Sequence, residues 1–120
     1  MPQRCWPFFP GTGRVRVRAR MGRAAISAVN WAEVVQKSLA KGLALEALRE
    51  GVKALGVAIL PFDAEDAETA ARLWEETRRV GLSPGDRACL ALALRLGVPA
   101  LTADPAWSRL RVGVMVEVVR

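Results

Sequence analysis

The chain reads as an α/β protein, a three-layer α/β/α arrangement around a parallel sheet. Short apolar runs at residues 24–29, 57–60, 99–102 and 112–116 alternate with stretches of helical periodicity. Strands that alternate with helices form a parallel sheet covered on both faces. The stretch 87–96 is apolar on nearly every side, the mark of a helix buried all round. With 120 residues, 52% of them apolar, the chain has enough material for one domain with one core.

Each element has its own signal. Residues 1–14 form an irregular basic segment, broken by Pro2, Pro7, Pro10, Gly11 and Gly13. Val15 and Val17 alternate with arginines, a weak match to a short edge strand. Residues 24–29 form a compact apolar strand, after which Asn30 is a candidate helix cap. Ala32, Val35 and Leu39 mark an apolar face on the helix that follows. A second helix over 43–55 carries Leu45, Leu48, Val52 and Leu55, and Gly56 stops it before a buried strand at 57–60. Asp63 caps a long helix to about Val80, with Ala67, Ala70, Ala71 and Trp74 inward and a charged, solvated outer face. Gly81, Pro84 and Gly85 break that helix. Asp86 then stands at the start of the next one, where a carboxylate suits both capping and the helix dipole. Gly97 and Pro99 end that helix. Residues 99–102 read as an internal parallel strand, with Asp104 just past its carboxyl end. Trp107 and Leu110 suggest a helical turn, and 112–116 a last strand.

Composition narrows the chemistry. There is no histidine, which excludes a Ser-His-Asp triad and most zinc sites within the chain. Carboxylates must therefore carry any hydrolytic chemistry. No Gly-rich phosphate loop of the dinucleotide or nucleoside-triphosphate type is present. Cys5 and Cys89 fit a reducing compartment, and no apolar run approaches the roughly 20 residues of a membrane span, so a cytoplasmic protein is expected. The first 23 residues lack the apolar core of a secretion signal. The net charge of +6 is localised. Arg4, Arg14, Arg16, Arg18, Arg20 and Arg23 all precede Glu33, the first acid, and the rest of the chain is neutral. This arm is either a solvated tail or a contact for nucleic acid phosphates.

Glu33, Asp86 and Asp104 each follow a turn at a strand-to-helix junction. Taken singly, each is explained by helix capping or the helix dipole. In a doubly wound sheet such junctions share one edge, where ligands bind. Three acids there form an oxygen site suited to Mg²⁺ or Mn²⁺. Such an ion positions water and offsets leaving-group charge in phosphodiester cleavage.

Three stretches resemble motifs of the PIN domain. Ala25-Ile26-Ser27-Ala28-Val29-Asn30-Trp31-Ala32-Glu33-Val34-Val35 is similar to its second-acid motif. Leu82-Ser83-Pro84-Gly85-Asp86-Arg87-Ala88-Cys89-Leu90-Ala91-Leu92-Ala93 is similar to the third, and Leu101-Thr102-Ala103-Asp104-Pro105-Ala106-Trp107 to the fourth. The resemblance runs over residues 15–120 and is closest to VapC-type toxins of toxin–antitoxin pairs. It implies a PIN-like fold and a Mg²⁺-dependent endoribonuclease acting on RNA. It also implies a homodimer, no membrane, and a cognate VapB-like antitoxin that covers the site. Glu33, Asp86 and Asp104 inherit the catalytic and metal-holding roles, with Ser27 and Thr102 as supports.

One motif of the resemblance is missing. The family opens with a central strand ending in Asp-Ala-Ser-Ala, whose Asp is a principal metal ligand, and here no acid precedes Glu33. The first central strand is therefore expected to be missing or replaced, with residues 15–19 as the substitute and their alternate arginines counting against it. Codons offer an explanation. Met1-Pro2-Gln3-Arg4-Cys5-Trp6-Pro7-Phe8, read one base earlier, is compatible with Asp-Ala-Ser-Ala-Leu-Leu-Ala-Leu. The hypothesis is a start in the wrong frame, with an insertion or deletion before about Val17; codons incompatible with the shifted reading would rule it out. For the chain as written, the expectation is weak Mg²⁺ binding and impaired cleavage. The alternatives are an inactive PIN-like module that binds an antitoxin or itself, and a nucleic-acid binder working through the arginine arm.

Overall fold

Ser27 ends a strand and begins a helix. Its backbone is extended, and its hydroxyl accepts a hydrogen bond from the Val29 N–H at 3.2 Å. One residue thus sets the boundary between sheet and helix, as an N-cap serine does. In the computed structural model, which describes residues 16–18 (as a backbone path), 24–102, 105–113 and 115–118, such junctions recur along the chain. The elements in order are β1 (Arg16–Arg18), β2 (Ala24–Ser27), α1 (Ala28–Ala40), α2 (Leu45–Ala54), β3 (Ala58–Leu60), α3 (Ala64–Arg72), α4 (Trp74–Thr77), α5 (Pro84–Leu96), β4 (Ala100–Thr102), a 3₁₀ turn (Pro105–Arg109) and β5 (Val116–Val118). Residues 1–14, assigned from sequence to an irregular basic segment, lie outside the described residues.

Among the described residues the strands form one sheet of order β3-β2-β1-β4-β5. β2 pairs β3 in parallel and β4 pairs β5 in parallel. The central place is filled by β1, antiparallel to both neighbours, with Val17 opposite Ala25 on one side and Ala100 on the other. The first central strand is thus replaced rather than missing. The alternate arginines do not keep this segment out. Without it, β2 and β4 would each present an unpaired backbone edge inside the sheet, and three residues of β1 supply partners to both. The parallel ladders expected from the strand–helix alternation are therefore interrupted by one reversed strand.

Helices cover both faces. Ala25 and Ile26 are neighbours in β2, so they point to opposite sides. Ala25 packs with Leu73, Leu82, Leu90, Leu92 and Trp107, whereas Ile26 packs with Val34, Leu48 and Val52. α5 is the central helix of the first core. Six consecutive positions from Ala88 to Ala93 are buried, joined by Gly85 at the start of the helix. Fully burying a side chain such as Leu90 contributes roughly 1.5–3 kcal/mol. Gly97 closes α5 in the left-handed region at φ 66°, a conformation that favours glycine.

Several sequence expectations shift. Asn30 does not cap α1; it lies within the helix, buried, one turn past the real cap. The inward row of α1 is Asn30, Val34 and Ser38, while Leu39 is half exposed and Ala32 lies in solvent. The strand expected to be buried at 57–60 is an exposed edge strand, since nothing pairs beyond β3 among the described residues. The long helix from Asp63 breaks at Leu73 into α3 and α4. The Thr77 hydroxyl bonds back to the Leu73 carbonyl at 2.8 Å, a contact that bends helices. Its inward row is Asp66, Ala70, Leu73 and Thr77, not Ala67, Ala71 and Trp74, and Trp74 is exposed with Arg78 stacked 5.0 Å from its ring centre. The last strand begins at Val116, after a bend at residues 112–113 where Gly113 takes φ 79°.

Candidate active site

The carboxyl ends of β2 and β4 lie on one edge of the sheet, on either side of β1, because both run opposite to it. Ser27 closes β2 and Thr102 closes β4, and both are buried. The two residues expected to support the site thus stand at this edge, and the Ser27 hydroxyl is used as the cap of α1. α1 leaves from there, and the start of α5 packs against it.

Two turns of sequence logic meet where those helices touch. α1 begins at Ala28, so Glu33 stands beyond its first turn and is not a partner for its dipole. Glu33 instead reaches the start of α5. A Cβ at Gly85 would lie 2.7 Å from both Glu33 carboxylate oxygens, so the absence of a side chain is what lets the acid approach the helix. Asn30, three residues before Glu33, stitches the contact. Its Nδ2 donates to the Gly85 carbonyl at 2.9 Å and lies 3.4 Å from Glu33 Oε1. Asn30 is 1% exposed, and its Oδ1 is buried without a partner among the described residues. The carboxylate of Glu33 remains exposed.

Asp86 follows Gly85 and occupies the third position of α5. The Ser83 hydroxyl accepts from the Asp86 N–H at 3.1 Å, and Asp86 Oδ2 accepts from the Ser83 N–H at 2.9 Å. This capping box satisfies two otherwise unpaired donors and fixes the side chain. The capping role expected of Asp86 is therefore real, and it engages one oxygen only; Oδ1 has no partner among the described residues. Glu33 and Asp86 thus converge on the first turn of one 13-residue helix. The positive end of the helix dipole favours anions there. Asp104, the third acid, lies outside the described residues, two positions past the end of β4. Among the described residues no three His, Cys, Asp or Glu side chains gather as a metal-holding group.

Asn30 is the site residue that sequence reasoning missed. Its spacing of three from Glu33 was the available signal, since residues three apart in a helix are neighbours on its surface.

Residues 10–113 match the family model of the PIN domain. The chain belongs to the PIN domain family. No curated protein and no solved structure matches it. PIN domains are generally metal-dependent nucleases, so the family points to a nuclease-type function for this chain. The α/β fold with its parallel ladders agrees with that membership. No helix among the described residues of this PIN domain is long and apolar enough to cross a membrane.

The donor set suits a hard divalent cation. Glu33 and Asp86 offer oxygen only, and each keeps one carboxylate oxygen without a protein partner among the described residues. Mg²⁺ is commonly held through one or two carboxylates, with waters and substrate phosphate completing its shell. Glu33 and Asp86 are the described residues that would hold it.

Proposed function

We propose that this PIN domain is a Mg²⁺-dependent endoribonuclease of the VapC type, the toxin of a toxin–antitoxin pair, with Glu33, Asp86 and Asp104 as its acids. Mn²⁺ is the alternative ion. The observation that carries the reading is the seating of the Glu33 carboxylate on Gly85, one residue before Asp86, at the start of α5.

The ion, when bound, supplies positive charge to position the attacking water and offset the leaving oxygen. The protein's own groups do the remaining work. Asn30 restrains Glu33 and ties it to the Gly85 carbonyl. The Ser83–Asp86 capping box restricts Asp86 to one orientation. The first turn of α5 adds the favourable end of its dipole for an RNA phosphate. Ser27 and Thr102 anchor the ends of the two strands that frame the edge.

The central strand contributes Arg16, Val17 and Arg18 and no acid. Activity is accordingly weaker than in a PIN domain that retains its first aspartate. The same absence supports a second reading, an inactive PIN-like module that binds an antitoxin or a second copy. Leu39, Leu43 and Leu45, exposed around the α1–α2 turn, are apolar surface available to either partner.

The test is cleavage of single-stranded RNA with Mg²⁺ and with a chelator. The ribonuclease reading requires Mg²⁺-dependent cleavage that both Glu33→Gln and Asp86→Asn abolish. Cleavage that survives both substitutions, or that the chelator leaves intact, overturns it. Absence of cleavage together with a stable dimer in solution favours the inactive module.

A further inference from the structure

A groove of about 440 Å³ lies between α1, α2 and β3, lined by Trp31, Arg49, Val52, Lys53, Val57 and Ile59. Its construction follows from the sequence. Arg49 and Lys53 are four apart in α2, so they stand on one side of that helix with Cβ atoms about 5–6 Å apart. Val52 is buried beside them. Val57 and Ile59 are two apart along the extended chain leading through β3 and share a side. β3 is an edge strand, so the groove opens laterally to solvent. Trp31 is half buried against the Ile26, Val34, Leu48 and Val52 core and turns its remaining surface to the groove.

We propose that this groove is a subsite for one unstacked nucleotide of single-stranded RNA, its base against Trp31 and its phosphates on Arg49 and Lys53. The proposal rests on the ribonuclease reading above and adds where the substrate strand is gripped away from the acids. An indole ring beside two cations is the combination that holds single strands without sequence preference. Neither Arg49 nor Lys53 forms an ion pair among the described residues, so both charges are available. Glu46 and Glu50, on the same helix, do not line the groove. The volume lies within the 300–1,000 Å³ typical of small-ligand pockets. It accommodates a base and its sugar. Trp31 and Glu33 are two apart on α1, about 200° around the helix, so they leave it on opposite sides. A strand crossing the start of α1 therefore meets the groove on one side and the acids on the other.

The experiment is fluorescence anisotropy of a labelled 2′-O-methyl oligouridine with the full chain, over a range of salt. Because the 2′-oxygen is blocked, binding is read without cleavage. Trp31→Ala weakens binding about tenfold, the lower part of the range for a lost base stack, and Trp31→Phe restores most of it. Arg49→Gln with Lys53→Gln, both at exposed positions, reduces the salt slope by about 1.4, from about 0.7 per phosphate contact on single strands. An unchanged slope and affinity in the double variant overturns the proposal, whether or not Trp31→Ala folds. So does binding of an oligoglutamate peptide that the double variant loses while the oligonucleotide ignores it, which would give the groove to an acidic protein partner. The two readings fail separately. Cleavage without dependence on Trp31, Arg49 or Lys53 removes the subsite alone, and Trp31-dependent binding without cleavage removes the ribonuclease alone.

Discussion

The carboxylate of Glu33 rests on the backbone of Gly85, where a Cβ would stand 2.7 Å from both of its oxygens. The atoms in the way are the far end of a flexible side chain, not backbone. Gly85→Ala therefore displaces the acid and leaves the fold intact. Alanine is also the better helix former by roughly 0.5–1 kcal/mol. The expected result is a melting temperature equal to or above the parent's, with RNA cleavage reduced about 10²-fold, the scale on which a misplacement of about 1 Å acts. Equal cleavage by the two proteins would detach Glu33 from the chemistry.

Asn30 bridges what Gly85 allows. Replacing it with alanine removes a second donor from the Gly85 carbonyl, which keeps its partner within α5. Losing one buried hydrogen bond costs about 0.5–1.5 kcal/mol, which urea unfolding resolves as a lower midpoint at unchanged slope. Asn30→Asp is the sharper probe. It puts a second carboxylate beside Glu33 and replaces the amide donor that faces the Gly85 carbonyl with an acceptor. Its loss of stability exceeds that of Asn30→Ala at neutral pH and shrinks as the acid is protonated.

The contrast between Asp86 and Asn30 shows which parts of the site were legible. Ser83 and Asp86 are three apart, and their capping box is a local motif that needs no other element, so the start of α5 reads directly from the chain. Asn30 gains its meaning from Gly85, 55 residues away, and alone it looks like one more helix cap. The same holds for α3. Alanines count as apolar in a periodicity, yet exposing one costs little, and Ala67 and Ala71 are exposed. Asp66 counts as polar, yet it is buried because Arg95 of α5 meets it. The direction of β1 was equally hidden. Three alternating residues fit a strand running either way, and the choice lies in the edges of β2 and β4.

That Asp66–Arg95 pair clamps α3 to α5. The guanidinium Nε is 3.2 Å from Asp66 Oδ1, and the Arg95 Nη2 also donates to the Pro61 carbonyl at 3.1 Å. Asp66 Oδ2 accepts from the Asp63 N–H at 3.2 Å, so the carboxylate has a partner on each oxygen. Arg95→Met strands a buried charge. Removing one partner of a fully buried pair costs about 3–5 kcal/mol, and the half-exposed arginine places this case below that range. Asp66→Asn combined with Arg95→Met recovers part of the loss. A double variant whose loss equals the sum of the two single losses would show that the pair is not coupled.

Asp63 opens the same helix and sets an acid limit to its stability. Its side chain accepts from the Asp66 N–H at 2.9 Å, and that hydrogen bond, with Arg95 adding attraction, holds its carboxyl below the ordinary value of 3.8. A carboxyl lowered in the folded state binds its proton more readily when unfolded. Its contribution is therefore present above the unfolded value and is lost as pH falls through the lower, folded one. Asn at the same position keeps an acceptor for the cap but has no charge to titrate. Thermal unfolding followed from pH 7 downward is expected to show the parent more stable than Asp63→Asn near neutrality. The gap should close in acid below about pH 4, where the free carboxyl titrates. A gap that is constant across this window would assign the difference to shape rather than charge.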